Sequence, residues 1–146
     1  MLNRKIGIGI GMALIVMGLI GFSFWPNKER TLTLNTPVDH DLTFTRFQTM
    51  LLSPEEGSKS DIRSNQIIQV SGYVKEVNLL NERITLILKG EYDTSPYMIC
   101  DFQANQEHII NELKKNDYVR VKGVFKGILK DAIFLNCIIT YTSSHE

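Results

Sequence analysis

The chain is poor in the residues that build metal and catalytic centres. It has three histidines, His40, His108 and His145, and two cysteines, Cys100 and Cys137. The histidines are scattered, and none stands at the close spacing from another ligand type that zinc sites use. No metal and no cofactor is expected. Two cysteines are too few for a disulfide scaffold. Ser71, in Val-Ser-Gly-Tyr, lacks the G-x-S-x-G pattern of a nucleophile elbow. Paired Asp39 and Asp41 read as solvated carboxylates. No catalytic constellation emerges, and no small-molecule substrate is implied. Net charge is also missing: 16 Lys and Arg balance 16 Asp and Glu. A strongly basic chain, the usual electrostatic footprint of a nucleic-acid binder, is therefore excluded.

Charge is absent in another sense from residues 6–25, twenty positions with no ionisable side chain. That length matches the roughly 20 residues a helix needs to cross a bilayer core. Arg4 and Lys5 precede the run, Trp25 suits the interface, and Pro26 ends the helix. A transmembrane helix over 6–25 after a tail of 1–5 is expected, the alternative being a cleaved signal peptide. The basic tail keeps the N-terminus cytoplasmic and puts the C-terminal domain outside. Residues 26–42 are polar and read as a linker.

Helical signals follow over 43–66. Thr45 and Gln48 form a capping box, with Phe47, Met50 and Leu51 on one face. Ser53, Pro54 and Glu56 form a second. Two short helices are expected, at about 45–52 and 54–64, plugging one end of what comes next.

From 67 to 141 the chain reads as five strands: 67–77, 83–88, 97–102, 118–125 and 132–141. All are rich in β-branched and aromatic residues. Val119 and Val121 alternate with Arg120 and Lys122. Leu135, Cys137 and Ile139 share one parity, opposed by Phe134, Asn136 and Ile138. Asn81-Glu82 suits a hairpin turn. Gly72 and Gly123 fall inside strands, where glycine marks a bulge or bend. One helix intervenes, with Asn105 as its N-cap, Ile109, Ile110 and Leu113 on its face, and Asn116 at its left-handed end. Strand, strand, strand, helix, strand, strand is the order of an OB-fold, a mainly β five-stranded Greek-key barrel. Residues 142–146 form a tail.

Val-Ser-Gly-Tyr-Val at 70–74, Ile-Cys-Asp-Phe at 99–102, Asn-Asp-Tyr-Val-Arg-Val-Lys-Gly at 116–123 and Leu-Asn-Cys-Ile-Ile at 135–139 resemble the tRNA_anti-like family of OB-fold domains. The resemblance covers the last half of the chain and its helical lead-in, and it carries no catalytic group. Phe125 stands where the family pattern has a cysteine.

Two functional expectations follow. The first is a membrane-anchored, non-enzymatic module of the cell envelope, binding a protein, peptide or glycan across 83–88, 97–102 and the 90–96 loop. The second is a single-stranded nucleic-acid binder using Tyr73, Lys75, Tyr97, Arg120 and Lys122 as stacking and phosphate contacts. Against the second, 67–141 holds nine basic and nine acidic residues. Cys100 shares parity with Met98 and Phe102, so both cysteines face inward on neighbouring strands. A disulfide and a pair of buried thiols are the two alternatives.

Overall fold

The computed structural model describes residues 30–52, 62–80 and 83–143. The expected span at 6–25, nearly all of the expected helix at 54–64, the Asn81-Glu82 turn and most of the C-terminal tail lie outside those residues. Among the described residues no helix is long and apolar enough to cross a membrane.

The elements are β1 (His40–Thr43), α1 (Phe44–Leu52), β2 (Ile67–Leu80), β3 (Arg83–Lys89), β4 (Met98–Phe102), a 3-10 turn (Ala104–Gln106) leading into α2 (Glu107–Ile110), β5 (Tyr118–Ile128) and β6 (Ala132–Ser143). The sheet runs β1-β2-β3-β4-β6-β5, and β5 pairs back onto β2. Strands β2 to β6 therefore close a five-stranded barrel in the OB arrangement, with β4 and β6 parallel and the helix between β4 and β5. The sixth strand is additional. β1 runs parallel to β2, from His40 opposite Ile68 to Thr43 opposite Ser71, on the edge where β3 has ended.

Period-two alternation decides which side chains fill the barrel. Ile84, Leu86 and Leu88 of β3, and Met98, Cys100 and Phe102 of β4, all point in. In β6 the alternation slips. Asn136 takes a left-handed φ of 55°, and the pairing jumps from Val124–Leu135 to Lys122–Ile138. This bulge corrects the parity read from sequence. Phe134 is wholly buried, Leu135 is only half-buried, and Cys137 returns inward past the bulge. Asparagine tolerates that backbone better than most residues.

Helix α1, the described helix of the expected lead-in, packs onto the barrel core. Phe44 and Phe47 are buried, and Phe47 meets Phe125 and Phe134 at ring-centroid distances of 6.1 and 5.6 Å. Such a ring contributes about 1.5–3 kcal/mol by leaving water. Gly72 is required beneath it. A Cβ there would stand 2.9 Å from the Lys89 carbonyl oxygen and 3.3 Å from Phe44 Cβ.

The segment read as a linker is packed from Leu32 onward. Leu32 is buried against Val124 and Ile138. Thr33 and Thr36 close a turn, and Asp39 pairs with Ile67 through both its backbone N–H and its carboxylate, each at 2.7 Å. Asp41, read as solvated, accepts a hydrogen bond from Gln69 at 3.0 Å. The inter-strand helix is shorter than expected. Asn105 lies inside the 3-10 turn and Gln103 is the residue before it, with no side-chain cap bond. Asn116 does take the left-handed conformation, at φ 73°.

Candidate binding face and groove

Of the five residues singled out from sequence, the structure brings Lys75 and Tyr97 together and gives Tyr73, Arg120 and Lys122 partners of their own. Tyr73 stacks edge-on against Tyr118 across the β2–β5 ladder, 5.3 Å between centroids. Lys75 reaches a second tyrosine: its Nζ lies 4.1 Å from the Tyr97 ring centroid and 2.5 Å from Asp93 Oδ1. The hydrogen bond to Asp93 holds Lys75 above its ordinary 10.5. The same bond holds Asp93 below its ordinary 3.8. Arg120 is exposed, but its Nε donates to Ser71 Oγ at 3.1 Å.

Lys122 is the clearest departure. Strand parity placed it in solvent beside Arg120, yet it is 4% exposed. Its ammonium donates to the carbonyl oxygens of Thr33, Leu34 and Thr36 at 3.3, 2.8 and 2.8 Å. Residues 33–36 cover that stretch of β5, so Lys122 fastens the N-terminal strap instead of meeting a ligand.

The two cysteines are thiols, both fully buried. They sit on adjacent strands, Cys100 opposite Phe134 and Cys137 opposite Phe102. Burial pushes the Cys137 thiol well above its ordinary 9.0, and the neighbouring Cys100 adds to the rise. No disulfide joins them in the structure.

The outer surface of β3, β4 and β6 presents a row of three half-buried isoleucines, Ile87, Ile99 and Ile133, each directly opposite the next. Charged pairs flank it: Lys75–Asp93 on one side, and Arg83–Asp101 on the other. The loops above are fastened. Asp131 accepts from Tyr97 N–H at 2.9 Å and Ser95 Oγ at 3.3 Å. Gln48 of α1 donates to the carbonyls of Thr94 and Pro96, each at 3.1 Å. Tyr92 and Leu129 project from these loops, 76% and 88% exposed.

Beside this face lies a groove of about 1020 Å³. Arg30, Arg83, Lys126, Asp101, Gln103 and Asn136 contribute its polar wall. Sequence reading missed it because the lining comes from widely separated segments, with no local pattern. The bulge at Asn136 helps to shape it, turning Leu135 outward.

A family model matches residues 55–139, more than half the chain. The chain belongs to the tRNA_anti-like family. Among solved structures, this tRNA_anti-like protein is similar to a candidate nucleic acid-binding lipoprotein from Klebsiella pneumoniae. That match has 13% identity and TM-score 0.52, and covers 71% of this chain and 98% of the other. It supports the OB-fold. The S. pombe Stn1–Ten1 complex matches at 11% identity and TM-score 0.41, over 50% of this chain and 57% of that one. Asparaginyl-tRNA synthetase from Pyrococcus horikoshii, complexed with asparaginyl-adenylate, matches at 15% identity and TM-score 0.43. There the tRNA_anti-like chain is covered over 55% of its length and spans 19% of the synthetase. No curated protein matches the chain.

Proposed function

We propose that this protein is a non-enzymatic binding module, held at a membrane by residues 6–25 with its barrel on the extracytoplasmic side. Its partner is an envelope protein whose extended segment lies across β3, β4 and β6. The observation that carries this reading is the row Ile87, Ile99 and Ile133 between two ion pairs. A phosphate backbone needs unneutralised cations. On this face Lys75 is matched by Asp93 and Arg83 by Asp101, while Lys122 is withdrawn under the strap. A half-buried apolar row with charged margins suits the core and rim of a protein interface.

The test is a photo-crosslinking residue at Ile99 in intact cells, with a control at Arg46 on α1. An envelope protein captured at 99 and not at 46 is the expected result; equal capture at both positions ends the assignment of this face. A reporter active only outside the cytoplasm, fused after Glu146, tests the side of the membrane, and activity is expected.

Single-stranded nucleic acid is the second reading. It is favoured by the Tyr73–Tyr118 pair and by Tyr97 carrying Lys75 above its ring. Base stacking on aromatics with nearby cations is how sequence-tolerant OB-folds hold single strands. Affinity for short oligonucleotides that falls steeply with added salt would replace the first reading by this one.

A further inference from the structure

We infer that the groove in which Arg30 and Lys126 stand beside the Arg83–Asp101 pair seats the phosphate of an anionic lipid headgroup in the membrane that carries the chain. This rests on the anchoring of residues 6–25 proposed above. Four observations converge on it.

The first is where the strap leaves the barrel. Leu32 is buried 3% exposed, its carbonyl accepts from Gln103 Nε2 at 3.4 Å, and the next three residues are tied to Lys122 through two of their carbonyls and that of Thr36. The chain is thus fixed from Leu32 onward, and Arg30 and Thr31 themselves line the groove. The second is reach. Four residues separate Trp25 from Arg30, which makes five Cα-to-Cα steps. Fully extended, they span at most about 18 Å, at roughly 3.6 Å per residue. With residues 6–25 in the bilayer, this tether keeps Arg30, on the groove wall, within about 18 Å of Trp25 and so near the membrane surface.

The third is charge. Among the described lining residues, three cations face one acid, Asp101, and Arg83 already pairs with it. Lys126 has a neutral partner, Asn65 Oδ1, at 2.8 Å. A concave site lined by one sign concentrates its field, and anionic lipid surfaces attract basic residues lying within a Debye length. The fourth is the chemistry of the remaining wall. The Asn136 side chain, the Asn65 amide nitrogen and the Gln103 amide oxygen suit the hydroxyls of a glycerol headgroup, the Gln103 nitrogen being engaged by the Leu32 and Asn136 carbonyls. The one aromatic residue among the described lining, Phe102, is 8% exposed, so the groove has no platform for stacking bases.

The full-length chain in dodecyl maltoside micelles is titrated with dihexanoyl-phosphatidylglycerol, dihexanoyl-phosphatidylcholine or inorganic phosphate, and backbone amide shifts are followed. Saturable shifts at Lys126, Arg83 and Gln103 with phosphatidylglycerol alone are the expected result. The double change Arg83→Glu, Lys126→Glu lowers that affinity at least tenfold, and the milder Arg83→Gln, Lys126→Gln pair lowers it less, with shifts elsewhere preserved in both. Equal response to inorganic phosphate, or displacement of the lipid by a short single-stranded oligonucleotide, overturns the headgroup assignment. Alkaline carbonate extraction of membranes separates this from the anchor. A chain retained in the membrane but indifferent to phosphatidylglycerol removes the groove site and leaves the anchor. A chain released by carbonate that still takes phosphatidylglycerol supports the groove and removes the anchor.

Discussion

Gly123 lies directly beneath Cys137: a Cβ at position 123 would stand 2.6 Å from the Cys137 sulfur, and 3.3 Å from Phe134 Cδ1. Neither neighbour can retreat, because both are wholly buried. Gly123→Ala should therefore cost about 1–3 kcal/mol by overpacking. Removing the sulfur gives the discriminating measurement. If the close approach is the cause, Gly123→Ala with Cys137→Ala loses less in denaturant unfolding than the two single changes summed. Strict additivity would mean the cost comes from somewhere other than this contact.

The Lys122 ammonium is the buried fastening of the strap. Lys122→Met keeps the stem and removes three hydrogen bonds from a charged donor. A loss of about 2 kcal/mol is expected, since bonds to charged groups contribute roughly 1.5–3 kcal/mol each and the freed carbonyls regain some water. Hydrogen exchange should rise at residues 32–36 before it rises in β2. Unchanged exchange there would show that Leu32 alone holds the strap.

The Lys75–Asp93 pair has a definite pH signature. Asp93 is depressed in the folded state, so its contribution is present above 3.8 and is lost as pH falls through the lower, folded value. Lys75 is raised, so its contribution is complete below 10.5 and is lost as pH rises through the higher, folded value. The gap in Tm between the wild type and Lys75→Met should thus be flat from about pH 5 to 9 and close at acid pH. The pair is solvent-exposed, so the gap should be small and should shrink with salt. A gap that persists unchanged in strong acid would assign it to the Tyr97 contact instead.

Cys100 and Cys137 should resist iodoacetamide in the native chain, because both are wholly buried and burial also disfavours the reactive thiolate of Cys137. In denaturant without reductant, mass spectrometry should show both cysteines alkylated. A chain that takes no label until it is reduced carries the disulfide instead.

How much of this was legible depends on what holds each part. Strands β3 and β4 were readable because their alternation is uninterrupted, which also placed Cys100 inside. The barrel order followed from five runs and one helix. β6 was misread at a single point, because the Asn136 bulge reverses parity and nothing in Leu-Asn-Cys announces it. β1 is four residues with no alternating apolar pattern, so its sequence reads as linker. The strap was invisible for a physical reason. It is held by backbone carbonyls on a lysine, and sequence patterns score a strand lysine as solvated. Of the residues put forward for binding, Lys75 and Tyr97 do meet, whereas Arg120 and Lys122 have internal partners. The groove needed the folded chain, since Arg30, Arg83, Asp101, Lys126 and Asn136 share no local motif.

The strap also settles how the molecule bears tension. A pull arriving through Arg30 loads Leu32 first, then the Lys122 carbonyl bonds, then the four-residue ladder of β1, and then Phe44 and Phe47 of α1. These attachments lie in series along the chain, so they peel one at a time. While they hold, they spread the load over β2, β5 and β6, and the chain entering the closed ring at Ile67 is pulled end-on only after they have yielded, like a weight hung from a row of stitches.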